Sequence, residues 1–202
     1  MSTHNVYVVD DDQAVRDSLR WLIESVGLKV KTFSNGQELL ENFNESEISC
    51  LVLDVRMPGI SGLDLQQRLK KQNSKVPVII VTGHADVPMA IQAMKVGAFD
   101  FIEKPYSDQL LLERIQCAIE QDDCFKKQKN ISDEINQRID SLTPREKEVM
   151  ALVVGGHSNK SIAKELGVSI KTVEVHRGNL MSKMKAKSLS ELVRIVMTSN
   201  RT

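Results

Sequence analysis

Five short apolar runs alternate with helix-patterned stretches over the first half of this chain. The runs are NVYVV (5–9), LKVKTF (28–33), CLVLD (50–54), VPVIIVT (76–82) and FDFIE (99–103). Between the first two, Val15, Leu19, Leu22 and Val26 repeat at helical spacing until Gly27 stops the pattern. SNGQELLENF opens with Ser34 three residues before Gln37, the spacing of a capping box. SGLDLQQRLKK, DVPMAIQAMKVG and SDQLLLERIQCAI complete a set of five helices. Parallel strands cannot be joined by tight turns and need crossover connections. This alternation therefore predicts an α/β fold, a doubly wound five-stranded parallel sheet with helices on both faces. The continuously apolar CLVLD and VPVIIVT suit central strands. LKVKTF, interrupted by lysines, and the mixed FDFIE suit the two edges.

The rest of the chain lacks strands. QDDCFKKQKNISDEINQRID (121–140) has neither Gly nor Pro, and Ile131, Ile135 and Ile139 fall four residues apart. It predicts a helical linker, with boundaries at 123–140. Thr143, Pro144 and Glu146 then form a helix start that runs to Gly155-Gly156. SNKSIAKELG, VSIKTVEVHRGNLMSKM and LSELVRIVM follow, the last capped by Ser188 and Glu191. Four short helices predict a compact all-α bundle over 141–202.

A formal net charge of zero conceals a division between these parts. Residues 1–122 carry 18 acids against 12 Lys and Arg, whereas residues 141–202 carry 5 against 11. An acidic front and a basic rear imply different partners, and the basic rear is compatible with nucleic acid. No run of apolar residues is long enough for a membrane span, and MSTHN has no signal-peptide pattern. Cys50, Cys117 and Cys124 are scattered, without metal-ligand spacing, and read as reduced thiols of a cytoplasmic protein.

In open α/β sheets, ligands bind beyond the carboxyl ends of the strands. Four of the predicted strands end there in Asp10-Asp11-Asp12, Asp54, Thr82 and Lys104. Clustered carboxylates repel unless a cation neutralises them, and oxygen donors of this kind suit Mg²⁺. Carboxylates, Mg²⁺, a lysine ammonium and a threonine hydroxyl together make a site for a phosphoryl group, whose transfer depends mainly on positioning and charge stabilisation. Asp54 ends a central strand ahead of the turn-forming VRMPG, which exposes it as a nucleophile. Asp12 is read as a helix cap.

At the rear, Ala163, Gly167 and Val173 have helix-turn-helix spacing. A small residue permits close helix approach, a glycine permits the turn, and a branched residue packs the second helix on the first. Ser169 is placed to cap that second helix. Met181 and Met184 read as core, and His176 as partly buried against the helix pair.

VVDDD, LVLDVRMPG and VTGHADVPMAIQAMKVGAFDFIEKP resemble the receiver domain of two-component response regulators. LTPREKEVMALVVGGHSNKSIAKELGVSIKTVEVHRGNLMSKM resembles the LuxR-type helix-turn-helix. Together they resemble the NarL/FixJ family, with the TGHADVPMA…DFIEKP stretch leaning toward its FixJ branch. The resemblance implies a flavodoxin-like receiver in residues 1–122. In it, Asp54 would accept phosphate from a sensor histidine kinase. Asp11, Asp54 and the carbonyl of Arg56 would bind Mg²⁺ directly, and Asp10 would act through water. Lys104 would pair with the phosphoryl oxygens, and Thr82 and Phe101 would move together as a switch. Phe101 stands where many members have Tyr, so it reports by packing alone. The Lys104–Pro105 bond would be cis, and a face including Val87, Met89, Ile91, Met94 and Phe101 would form a homodimer.

The same resemblance implies double-stranded promoter DNA and RNA polymerase as partners. Glu174, Val175 and Gly178 share one stripe and match the family's base-facing positions. Glutamate can accept from cytosine N4, and valine can meet a thymine methyl. Asn159, Lys160, Lys171, Thr172 and Arg177 are candidates for phosphate contacts. Leu189, Leu192, Val193 and Val196 of the last helix serve internal packing and a DNA-bound dimer contact in part each. An aspartyl-phosphate enzyme is disfavoured because Arg56 stands two residues after Asp54, where such enzymes usually place a second Asp. A dinucleotide site is disfavoured because no G-x-G-x-x-G follows the first strand. The acidic set with Thr82 and Lys104 argues against a DNA-binding protein indifferent to phosphate.

Overall fold

The structure is a computed structural model that describes residues 4–199. The chain divides into two compact units, Met1–Phe125 and Lys126–Thr202.

In the first unit the strands are β1 (Asn5–Val9), β2 (Lys29–Phe33), β3 (Cys50–Asp54), β4 (Val78–Thr82) and β5 (Asp100–Glu103). They alternate with α1 (Gln13–Ser25), α2 (Gly36–Glu41), α3 (Gly62–Lys71) and α4 (Val87–Val96), and β5 leads into α5 (Asp108–Asp140). All pairings are parallel, in the order β2-β1-β3-β4-β5. The two lysine-bearing or mixed strands are the edges, and every residue of β3 and β4 is buried. Side chains alternate between the faces of the sheet. Tyr7, Val9, Leu51, Leu53, Val78 and Ile80 meet Leu39, Leu65, Leu69 and Ala93 from α2, α3 and α4. Val6, Val8, Val52, Ile79 and Val81 meet Leu19, Ile23, Leu111 and Ile115 from α1 and α5. Each such aliphatic side chain contributes roughly 1.5–3 kcal/mol of burial, so both faces are committed and the register is fixed.

Helix starts follow the expected chemistry with one correction. Asn35, not Ser34, caps α2, accepting the Glu38 N–H at 2.9 Å. Glu38 in place of Gln37 reaches back, to the N–H and hydroxyl of Ser34. The asparagine oxygen, already in extended backbone, competes better for the first orphan N–H than a serine one residue earlier. Asp12, Ser61 and Asp86 cap α1, α3 and α4. The strand order reverses between β1 and β3, which opens a crevice beyond their carboxyl ends.

The second unit holds α6 (Pro144–Val154), α7 (Asn159–Leu166), α8 (Ile170–Lys183) and α9 (Leu189–Ser199). Its core gathers Val149, Val153, Ile162, Val173, Leu180, Met184 and Leu192, with Met181 and Val196 packed against it. Thr143 and Glu146 form a reciprocal capping box. The Glu146 carboxylate also accepts from Lys183 at 2.7 Å, tying the start of α6 to the end of α8. At α9, Ser188 accepts the Glu191 N–H, but the Glu191 carboxylate bonds the Lys187 N–H rather than that of Ser188. No helix among the described residues is long and apolar enough to cross a membrane.

Candidate phosphoacceptor site and nucleic-acid interface

At the crevice, β1 ends one residue before Asp10 and β3 ends in Asp54. Both carboxylates are nearly buried, at 4% and 8% exposure. The Lys104 ammonium, carried by the segment after β5, donates to Asp10 Oδ2 and to Asp54 Oδ1, each at 2.9 Å. Burial acts to lower the Lys104 pKa. The Asp10 and Asp54 hydrogen bonds and their negative charge outweigh it, and the pKa is raised. The remaining oxygens are also held: Asp54 Oδ2 accepts the Arg56 N–H at 2.7 Å, and Asp10 Oδ1 accepts the Asp12 N–H at 2.9 Å. The bond between Lys104 and Pro105 is cis.

The other expected members lie around this pair. Asp11 is exposed at the rim, and Arg56 is exposed on the loop after β3. Asp12 accepts the Ala14 N–H at 2.8 Å and serves as the cap of α1. Thr82 is buried at the end of β4; its hydroxyl accepts the His84 N–H at 3.3 Å, which leaves its O–H to donate. Phe101 is half-buried and packs with Met89 on the core beneath α4. Val87, Ile91 and Met94 stand exposed on α4. Among the described residues, no three His, Cys, Asp or Glu side chains are grouped so as to hold a metal ion. Asp10, Asp11 and Asp54 carry three formal charges against one on Lys104, an excess that suits a divalent cation. Mg²⁺ keeps most of its waters and needs only one or two carboxylates.

Two residues at this site escape a reading of the sequence. Arg16 is buried on α1 and donates to the Asp10 carbonyl at 2.7 Å, holding the backbone that presents the acid. Gly62 opens α3 against the end of β3. A Cβ there would lie 2.1 Å from the Asp54 carbonyl oxygen, so any other residue displaces the backbone at Asp54. A cavity of about 330 Å³ lined by Ala14, Ser18, Leu22 and Tyr106 also touches Lys104.

In the second unit, Gly167 ends α7 in the left-handed conformation at φ 66°. Ala163 and Val173 are buried between α7 and α8, and Ser169 caps α8. Glu174, Val175 and Gly178 are exposed on one stripe of α8, and His176 is half-buried. Lys160 and Lys171 are exposed. Arg177 donates to Asn159 at 2.5 Å, linking two of the candidate phosphate contacts, and the Thr172 and Ser169 hydroxyls are bonded to each other.

Comparison with known proteins matches residues 6–116 to the response regulator receiver domain and residues 140–196 to the luxR family of bacterial regulatory proteins. The transcriptional regulatory protein FixJ of Bradyrhizobium diazoefficiens is 47% identical over 193 residues, 96% of this chain and 94% of that protein. The chain belongs to the NarL/FixJ family of response regulators. Another relative of this NarL/FixJ protein is the response regulator protein TodT of Pseudomonas putida, 42% identical over 94% of this chain and 84% of its own. Among solved structures, the response regulator StyR is 41% identical and matches 97% of this chain and 99% of its own with a TM-score of 0.91. Full-length FixJ from B. japonicum is 45% identical over the whole of both chains, with a TM-score of 0.59. The NarL/FixJ chain is thus a two-component response regulator that acts as a transcription factor. Its receiver implies a sensor kinase as partner and its luxR-type domain implies DNA. Receiver domains bind Mg²⁺ at their acidic pocket.

Proposed function

We propose that Asp54 accepts a phosphoryl group from the phosphohistidine of a sensor histidine kinase, and that the acyl phosphate so formed switches dimerisation and promoter binding. In this reading residues 1–122 are the phosphoacceptor domain, 123–140 a helical linker and 141–202 the DNA-binding domain of a cytoplasmic protein. A carboxylate oxygen of Asp54 attacks phosphorus, the phosphorus–nitrogen bond breaks, and the imidazole leaves with the bonding pair. The observation that carries the reading is Lys104, bonded to both Asp10 and Asp54 at 2.9 Å. It stands where charge on the transferred group develops, already oriented.

Asp11, Asp54 and the Arg56 carbonyl, with Asp10 through water, are the donors that would hold Mg²⁺. Bound there, the ion neutralises phosphoryl oxygens. The chain has no substrate turnover in this reading beyond its own Mg²⁺-dependent phosphorylation and dephosphorylation. Once phosphorylated, Asp54 offers new oxygens to Lys104 and to the Thr82 hydroxyl. Movement of Thr82 vacates space that Phe101 fills, and the α4 face with Val87, Met89, Ile91 and Met94 then pairs with a second copy.

On DNA, α8 enters the major groove. Glu174 and Val175 meet base edges, while Asn159, Lys160, Lys171, Thr172 and Arg177 meet phosphates. Gly178 supports this orientation: a Cβ there has nothing within 4 Å. The fold does not need glycine at that position, whereas close approach of a duplex does. RNA polymerase is the further partner at the promoter. Asp54→Asn should abolish Mg²⁺-dependent labelling by acetyl phosphate, read by intact mass, with the circular dichroism of the fold retained. Undiminished labelling of the folded variant would sink the assignment.

A further inference from the structure

We propose that Ile170, the residue that opens α8, is itself a base reader, and that its side chain selects a thymine through the C5 methyl group. The inference rests on the reading of α8 as the helix that enters the major groove. It adds a contact that the stripe of Glu174, Val175 and Gly178 does not contain.

Ile170 follows directly on the cap Ser169 and is 46% exposed. The core of this unit draws partly buried apolar side chains from all four of its helices, Met150, Leu166, Met181 and Ile195 among them, but not Ile170. On α8 the two large apolar side chains left exposed are Ile170 and Val175. Folding supplies no reason for the first of them. A β-branched residue is a weaker helix former than Ala, Lys or Glu, and water would solvate a polar residue there.

The geometry supplies one. Ile170 and Glu174 are four residues apart, so they share a face. Helical side chains lean toward the N-terminus, and Ile170 carries that face to the end at which recognition helices meet base edges. Its polar neighbours are committed. The Ser169 and Thr172 hydroxyls are bonded to each other at 2.8 Å, and Ser169 Oγ accepts the Thr172 N–H at 3.0 Å. Lys171 is exposed and has the charge for a phosphate. What remains for a base is an aliphatic side chain with neither donor nor acceptor. The apolar group that a base pair presents in the major groove is the thymine methyl. Set against any other edge, Ile170 would cover polar atoms without bonding them, which is costly. Four residues of helix rise about 6 Å, which is about two base-pair steps of about 3.4 Å. The thymine should therefore lie within about two base pairs of the pair that Glu174 reads.

The test uses the full-length protein, phosphorylated with acetyl phosphate and Mg²⁺, and a duplex recovered by selection from a random pool. Each thymine in turn is replaced by deoxyuridine, which removes the methyl and keeps every hydrogen-bonding group. Affinity should fall about fourfold, the worth of burying one methyl group, at one thymine per half-site through Ile170 and at a second through Val175. Ile170→Ala should abolish the first loss and keep the second, and Val175→Ala should do the reverse. Alanine favours the helix, and thermal unfolding checks that the variants are folded. The scan of the wild type needs no variant and already demands two sensitive thymines per half-site. A single sensitive thymine, or two that both persist in Ile170→Ala, overturns the proposal. If Glu174→Ala and Val175→Ala also leave every base preference unchanged, or no duplex is recovered, the placement of α8 in the groove falls with it. If those two variants change preference and Ile170→Ala does not, only the role of Ile170 falls.

Discussion

The rim of the sheet and the exposed stripe of α8 are built on opposite terms. At the rim, Asp10, Asp54 and Lys104 come from three distant points of the chain, and the two acids are nearly buried around one ammonium. On α8, Glu174, Val175 and Gly178 lie within five residues of one another and face solvent. Both acids share one ammonium, so each member of the rim is coupled to the others. Exposed groups on one helix have little to do with each other until DNA arrives, and their contributions should be separable. The difference teaches that a phosphoryl switch needs preorganised charge, whereas groove reading needs accessible charge on a rigid support.

Lys104→Met should break the rim most strongly. It removes two charge-assisted hydrogen bonds and leaves two carboxylates facing each other, a loss of about 1–3 kcal/mol near neutrality. The Lys104 pKa is raised in the folded state above its ordinary 10.5. Its contribution is therefore fully present below that value and is lost as pH rises through the folded-state pKa. Chemical denaturation across pH should show the wild-type advantage present at neutral pH and shrinking in the alkaline range as the ammonium is lost. Equal stability of wild type and variant at neutral pH would mean that Lys104 is not the stabilising partner.

Ile91→Asp sharpens the link from rim to output. In a two-fold interface the new charge faces its own copy, so dimerisation of the phosphorylated protein should weaken more than about tenfold. Sedimentation at several concentrations reads this, and an unchanged dimer places the interface elsewhere.

On α8 the expected effects are smaller and independent. Glu174→Ala should relax preference at one base position per half-site, by about 1–3 kcal/mol, while non-specific affinity rises because a negative charge near phosphates is gone. Selection from a random DNA pool decides it, and an unchanged preference everywhere would put the reading stripe on another side of the helix. Lys171→Ala should weaken binding to all sequences alike and lower the slope of log affinity against log salt by about one. A sequence-dependent loss instead would make Lys171 a base reader. The Glu174→Ala and Lys171→Ala effects should add in the double variant, and failure to add would dissolve the contrast with the rim.

Much of this was legible because periodicity is a local property. Alternating apolar runs and 3.6-residue repeats already specify a doubly wound parallel sheet followed by a helical bundle, and lysines in LKVKTF mark an edge because a central strand cannot bury them. The polar residues ending four of the strands are visible for the same reason. Caps are local too, yet Asn35 and Glu38 displaced Ser34 and Gln37 because neighbouring residues compete for one orphan N–H, and only backbone conformation decides between them. Tertiary structure alone decided what crosses between elements. That Lys104 bridges Asp10 and Asp54, that Arg16 holds the Asp10 carbonyl, and that Gly62 lies where a Cβ would meet the Asp54 carbonyl are facts about separations in space. The same is true of Gln66, which reads in the sequence as one more polar residue on an amphipathic helix. Burial of its amide against Ala93 depends on how α3 and α4 pack, and packing is set by the whole sheet rather than by the residues on either side.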